Sequence, residues 1–109
     1  MKDEQKCYLC LTTVDKESTA RQIAQTLLKQ KLVACVNISA KSLSMYHWQG
    51  EIAEAGEFLL QMKTNSQKIR ELELKIREIH PYDVPEFIVL EVVDGASDYL
   101  SWINDSLSD

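Results

Sequence analysis

Glycine and proline are scarce in this chain. Its 109 residues include three glycines and two prolines, together well under the roughly 12% of an average globular protein. Few turn breakers imply helices and strands joined by short loops. Cysteine is also rare, at positions 7, 10 and 35. An odd number of thiols leaves one over in any pairing, so a disulfide scaffold is not expected. No apolar run approaches the ~20 residues that a membrane span needs. Met1 to Lys6 is charged and leads into a strand-like segment, unlike a signal or transit peptide. The expected location is therefore the cytoplasm. Basic residues are outnumbered, 12 Lys and Arg against 17 Asp and Glu, for a net charge of −5. That balance excludes a nucleic-acid backbone binder and an anionic membrane surface as partner.

Missing motifs exclude further classes. The sequence has no Gly-rich phosphate loop, no G-x-S-x-G and no H-E-x-x-H. No activated nucleophile or cofactor motif is present, so no catalytic activity is expected. Apolar residues make up 45%, a globular share that argues against disorder. The length suits one domain spanning residues 1–109.

The apolar pattern predicts the elements in order. Cys7 to Val14 reads as a strand. Asp15 is the expected cap of a helix over 16–31, where Ala20, Ile23, Ala24, Leu27 and Leu28 form one apolar stripe. Leu32 to Ile38 is β-branched and apolar and predicts a second strand. It continues through Lys41 to Trp48, with a kink near Ser39–Ala40. Gln49-Gly50 predicts a tight turn, and the chain returns over Glu51 to Thr64, with a bulge expected at Ala53–Gly56. Ser66 is the expected cap of a helix over 67–79, where Ile69, Leu72, Ile76 and Ile79 repeat at buried-stripe spacing. Phe87 to Val93 predicts a central strand covered on both faces. Ser97 begins a short last helix.

The order β-α-β-β-α-β is the ferredoxin-like order. Right-handed crossovers put both main helices on one face of an antiparallel sheet. The fold class is thus α+β, with a long hairpin and an extra C-terminal helix. The second sheet face is apolar yet uncovered, which predicts burial by subunit association.

Few residues can carry chemistry. Cys7 and Cys10 form a C-x-x-C, but residues three apart on a strand face opposite ways and cannot chelate one ion. Cys35 lies mid-strand in an apolar run, where a thiol acts as a small hydrophobe. His47, alone in the hairpin, reads as a surface or packing residue. The segment His80-Pro-Tyr-Asp-Val-Pro-Glu86 differs, because both prolines fall in it. A rigid loop holding His80, Tyr82 and Glu86 suits either a site or a stiff helix-to-strand joint. Imidazole with carboxylate fits zinc or copper as well as acid–base work.

Several segments resemble the CutA divalent-cation tolerance family: Ala34-Cys-Val-Asn-Ile38, Ser44-Met-Tyr-His-Trp-Gln-Gly50, Met62-Lys-Thr64, the His80–Glu86 run and Asp98-Tyr-Leu-Ser-Trp102. They occur in family order and cover nearly the whole chain. The resemblance implies a ferredoxin-like homotrimer with sheets packed inward and the hairpin reaching a neighbour. It also implies likeness to PII signalling proteins, whose ligands sit in clefts between subunits. A role in tolerance of copper and other divalent cations follows, with a metal that is not tightly bound. By position, the implied metal ligands are His80, Glu86 and Cys35. Lys63, Tyr46, Trp48 and Tyr82 are the implied contacts of a small ligand, in the alternative of a PII-like signalling or scaffold trimer with an unknown downstream protein. Leu11 and Ile79 stand where some bacterial members carry a thiol and a second histidine. Neither can ligate, which weakens the case for a tight copper site.

Overall fold

The computed structural model describes residues 6–109; the charged start at Met1–Gln5 lies outside them. Strand β1 (Cys7–Val14) leads to helix α1 (Glu17–Lys29). Strands β2 (Cys35–Ile38), β3 (Ser42–Trp48) and β4 (Glu51–Asn65) follow. Helix α2 (Ile69–Ile79), strand β5 (Ile88–Glu91) and helix α3 (Ser97–Leu107) complete the chain. The sheet runs β2-β4-β1-β5, all neighbours antiparallel, and β3 pairs with the far half of β4. This is the ferredoxin-like arrangement with β2 and β3 as two parts of one long strand.

Alternation along the strands divides the core in two. Cys10, Val14, Leu60 and Met62 face α1 and α2, meeting Ile23, Leu27, Leu72 and Ile76. Leu27, Leu60, Met62, Leu72 and Ile76 are fully buried, each contributing roughly 1.5–3 kcal/mol of transfer free energy. On the opposite face Cys7 packs with Ile103 and Leu107 of α3. The two thiols of the C-x-x-C thus lie on opposite sides of the sheet. The three cysteines form no disulfide with one another.

The kink and the turn fall where the sequence puts them. Gln49 (φ 51°) and Gly50 (φ 80°) both adopt the left-handed region, as a two-residue hairpin requires. The bulge does not fall at Ala53–Gly56. There β3 and β4 pair without interruption from Ser42↔Glu57 to Trp48↔Glu51. The extra residue lies opposite, among Ser39, Ala40 and Lys41. The pairing sum is 98 up to Ile38↔Leu60 and 99 from Ser42↔Glu57, the signature of one inserted residue. Serine hydroxyls repair the ladder at the slip. The Leu59 N–H donates to Ser39 Oγ at 2.9 Å, and Ser42 Oγ donates to the Glu57 carbonyl at 3.0 Å. Gly56 instead leaves room for the Lys41 side chain, which a Cβ would meet.

Three further boundaries differ. Lys16, not Asp15, precedes α1, with no side-chain cap, and Leu28 is exposed. Leu32 and Val33 are buried ahead of β2 rather than within it. Asn65, not Ser66, prepares α2: its Oδ1 accepts from the N–H groups of Gln67 and Lys68 at 3.1 and 3.2 Å, while its Nδ2 donates to Asn104 Oδ1 at 2.9 Å. Strand β5 is an edge strand and is exposed along its length, not central and covered. Its apolar side chains are not covered by the described residues.

Candidate functional site

The His80–Glu86 loop is held by its own histidine. Pro81 forces His80 into an extended conformation (φ −73°, ψ 136°) and so ends α2. The ring is then buried against β1. Nε2 donates to the Thr13 carbonyl at 2.9 Å, and Nδ1 accepts the Tyr82 main-chain N–H at 3.1 Å. These two bonds select the neutral tautomer with the proton on Nε2. Burial pushes the His80 pKa below its ordinary 6.5, although the Thr13 carbonyl, Glu57 and Asp15 oppose the shift. Both ring nitrogens are committed within the subunit, so neither lone pair is free for a metal.

Tyr82 lies edge-on to His80, with centroids 4.8 Å apart. Its hydroxyl donates to Glu57 Oε2 at 2.9 Å. Burial and the Glu57 carboxylate both raise the Tyr82 pKa, with smaller contributions from Asp15 and Tyr46. Glu57, a buried carboxylate on β4, is a member of this corner that no sequence motif singled out. A lone Glu on a strand gives no signal until the loop folds onto it.

A second corner forms on the α3 side of the sheet. Cys35 and Lys63 are directly paired across β2 and β4. Lys63 Nζ donates to Tyr99 Oη at 3.0 Å and stands 5.4 Å from the centre of that ring. Cys35 Sγ lies 3.9 Å from the same hydroxyl. The bond to Tyr99 raises the Lys63 pKa; partial burial opposes it, and Cys35 adds to it. Tyr99 lies in the family-like Asp98–Trp102 segment but was not among the expected site residues.

The structure therefore separates the expected residues. Thr13, which binds His80, pairs with Leu59, while Cys35 pairs with Lys63. Leu59 and Lys63 are four residues apart on β4, about 13 Å at the rise of a strand. His80 and Cys35 do not meet in one subunit. Among the described residues no three His, Cys, Asp or Glu side chains are grouped to hold a metal. Tyr46 sits near the Tyr82–Glu57 corner, whereas Trp48 is exposed near the hairpin tip. Neither adjoins Lys63. Glu86 is half-buried and makes no side-chain hydrogen bond or ion pair with a described residue.

Both corners lie on segments shared with known proteins. The sequence pattern of the CutA1 divalent ion tolerance protein matches residues 8–106. The chain belongs to the CutA1 family. The divalent-cation tolerance protein CutA of Thermus thermophilus is 41% identical over 96 residues, 88% of this chain and 93% of that one. The crystal structure of CutA1 from Ehrlichia chaffeensis superposes with a TM-score of 0.92 at 31% identity, covering 97% of this chain and 99% of that one. A CutA from Archaeoglobus fulgidus, described as a periplasmic divalent cation tolerance protein, gives 0.89 at 31% identity over 94% of this chain and 99% of that one. CutA1 proteins are named for tolerance of divalent ions, not for a reaction. Among the described residues no helix is long and apolar enough to cross a membrane.

Proposed function

We propose that this CutA1 protein serves divalent-cation tolerance as a non-catalytic assembly, a cytoplasmic homotrimer, and meets copper or zinc at the boundary between subunits. One observation carries the boundary. The β5 edge presents Ile88, Val89 and Leu90 to solvent, each more than two-fifths exposed. A row of apolar side chains on an unpaired edge calls for a partner strand or sheet. The β3–β4 arm, which stretches the subunit to 54 Å, carries further exposed apolar residues, including Leu43, Met45 and Ile52.

His80 shapes the loop instead of ligating. Glu86 and Cys35 are then the ligands this chain offers, and both need a second subunit to be brought together. Glu86 is the stronger of the two, since it is a carboxylate that makes no ion pair with a described residue. The Lys63 ammonium next to Cys35 opposes a cation there. Such a two-ligand site, completed by water, gives weak and exchangeable binding.

Calorimetric titration of the reduced protein with zinc tests this reading. Glu86→Gln is expected to abolish the saturable heat and Cys35→Ser to weaken it. Equal heats in wild type and Glu86→Gln would overturn it. The PII-like alternative, a module for an organic ligand, gains support from Lys63, which borders an apolar cleft away from Tyr46, Trp48 and Tyr82.

A further inference from the structure

A cleft of about 230 Å³ opens beside the second corner, between β1, β4, α3 and the β5–α3 loop. Its walls include Tyr8, Leu9, Tyr99 and Ile103, and its two charged members are Lys63 and Asp94. The volume is below the 300–1,000 Å³ of drug-sized pockets, so an occupant must be small. The body of the cleft is apolar, which selects an apolar occupant. Lys63 supplies the polar end. Its ammonium has three donors, of which Tyr99 Oη takes one and Cys35 engages a second, which leaves one for an incoming anion. The Tyr99 hydroxyl and Cys35 keep that ammonium charged and in place. Asp94 is turned into its own loop, where Oδ1 accepts the Gly95 N–H at 2.8 Å. Its carboxylate holds one negative charge on the rim and repels a second.

We propose that this cleft binds a small apolar monocarboxylate, its carboxylate on Lys63 and its chain against Leu9, Tyr99 and Ile103. The proposal rests on the organic-ligand alternative and stands apart from the metal reading. Trp102 reports occupancy, because it stacks on Tyr99 at 5.6 Å between centroids.

The test uses the Trp48→Phe protein, so that Trp102 is the one tryptophan left, in buffer containing EDTA. Hexanoate is the probe, with hexanol and adipate as its uncharged and doubly charged counterparts. Hexanoate is expected to change Trp102 emission saturably, while hexanol and adipate bind at least about tenfold more weakly, as loss of a charge-assisted bond or addition of a repelled charge requires. Lys63→Met should weaken hexanoate by a similar factor, and Lys63→Arg should restore most of the binding. Asp94→Asn should let adipate bind. A non-saturating response, or equal binding by Lys63→Met and wild type, overturns the proposal. So does no response at any concentration, the result expected where a second copy of the chain fills the cleft. Because metal is absent throughout, none of these outcomes bears on zinc binding.

Discussion

His80 Nδ1 accepts the main-chain N–H of Tyr82, two residues further along, at 3.1 Å. The bond requires an unprotonated nitrogen. A protonated ring would set one N–H against another, in a buried place where charge is already disfavoured.

The consequence is a pH dependence of stability. The folded-state pKa of His80 lies below 6.5, so the unfolded chain binds more protons than the folded one as pH falls through that value. The contribution is fully present above 6.5, is lost as pH falls below it, and levels off below the folded pKa. Melting temperature should therefore drop between about pH 7.5 and about pH 5. His80→Gln should be less stable at neutral pH, by roughly 1–3 kcal/mol for the lost buried bonds, and should show a flatter profile. Parallel profiles for the two proteins would deny His80 this role.

Asn65 ties three segments together. Its side chain receives the N–H groups that open α2 and donates to Asn104 on α3. Asn65→Ala should cost about 0.5–2 kcal/mol for the turn alone and more with the Asn104 bond. Asn65→Asp, which keeps the acceptor for α2 and loses the donor to Asn104, should cost less. Chemical denaturation of the two variants measures the two shares.

The three thiols should react unequally. Cys10 is fully buried and its pKa is pushed up to about 12 by that burial. Cys7 is sealed under α3, and Cys35 is partly open. A disulfide reagent should therefore label one thiol quickly in the native protein, and Cys35→Ser should remove that phase. Rapid labelling of Cys10 would contradict the core described here.

Assembly should depend on the β5 edge. Leu90 is 46% exposed on that strand. A lysine there is a common guard against edge pairing, so Leu90→Lys should leave the subunit folded but shift sedimentation toward the monomer. An unchanged sedimentation coefficient would place the interface elsewhere.

Much of this architecture was legible in the residues. Helical spacing located α1 and α2, apolar β-branched runs located β2 and β5, and strand alternation correctly set Cys7 and Cys10 on opposite faces. The misplaced details share one cause. Ser66 and Ala53–Gly56 carry ordinary local signals for a cap and a bulge, but cross-chain partners decided the outcome. Asn65 bonds the first N–H groups of α2 and Asn104 at once. The inserted residue moves to Ser39–Lys41 because serine hydroxyls there can replace ladder bonds. Strand β5 looked central because its apolar run is complete, yet among the described residues it is the edge of the sheet. The candidate site was less legible. His80, Tyr82 and Glu86 are close in sequence, but the roles of His80 and Tyr82 depend on Thr13 and Glu57. Lys63 was grouped with aromatic residues of the hairpin, whereas the aromatic residue it bonds is Tyr99, from a helix 36 positions away.

The central claim is that a cation is met by residues of two different subunits. Mixing unfolded Cys35→Ser and Glu86→Gln chains and refolding them together tests it most directly, with zinc titration as the readout. Each variant alone has no intact pair of ligands. In a random mixture about a quarter of boundaries join an intact Cys35 to an intact Glu86. The account predicts that sites of wild-type affinity reappear at about that fraction of the wild-type stoichiometry. A mixture that binds no more zinc than the two variants measured separately would contradict it.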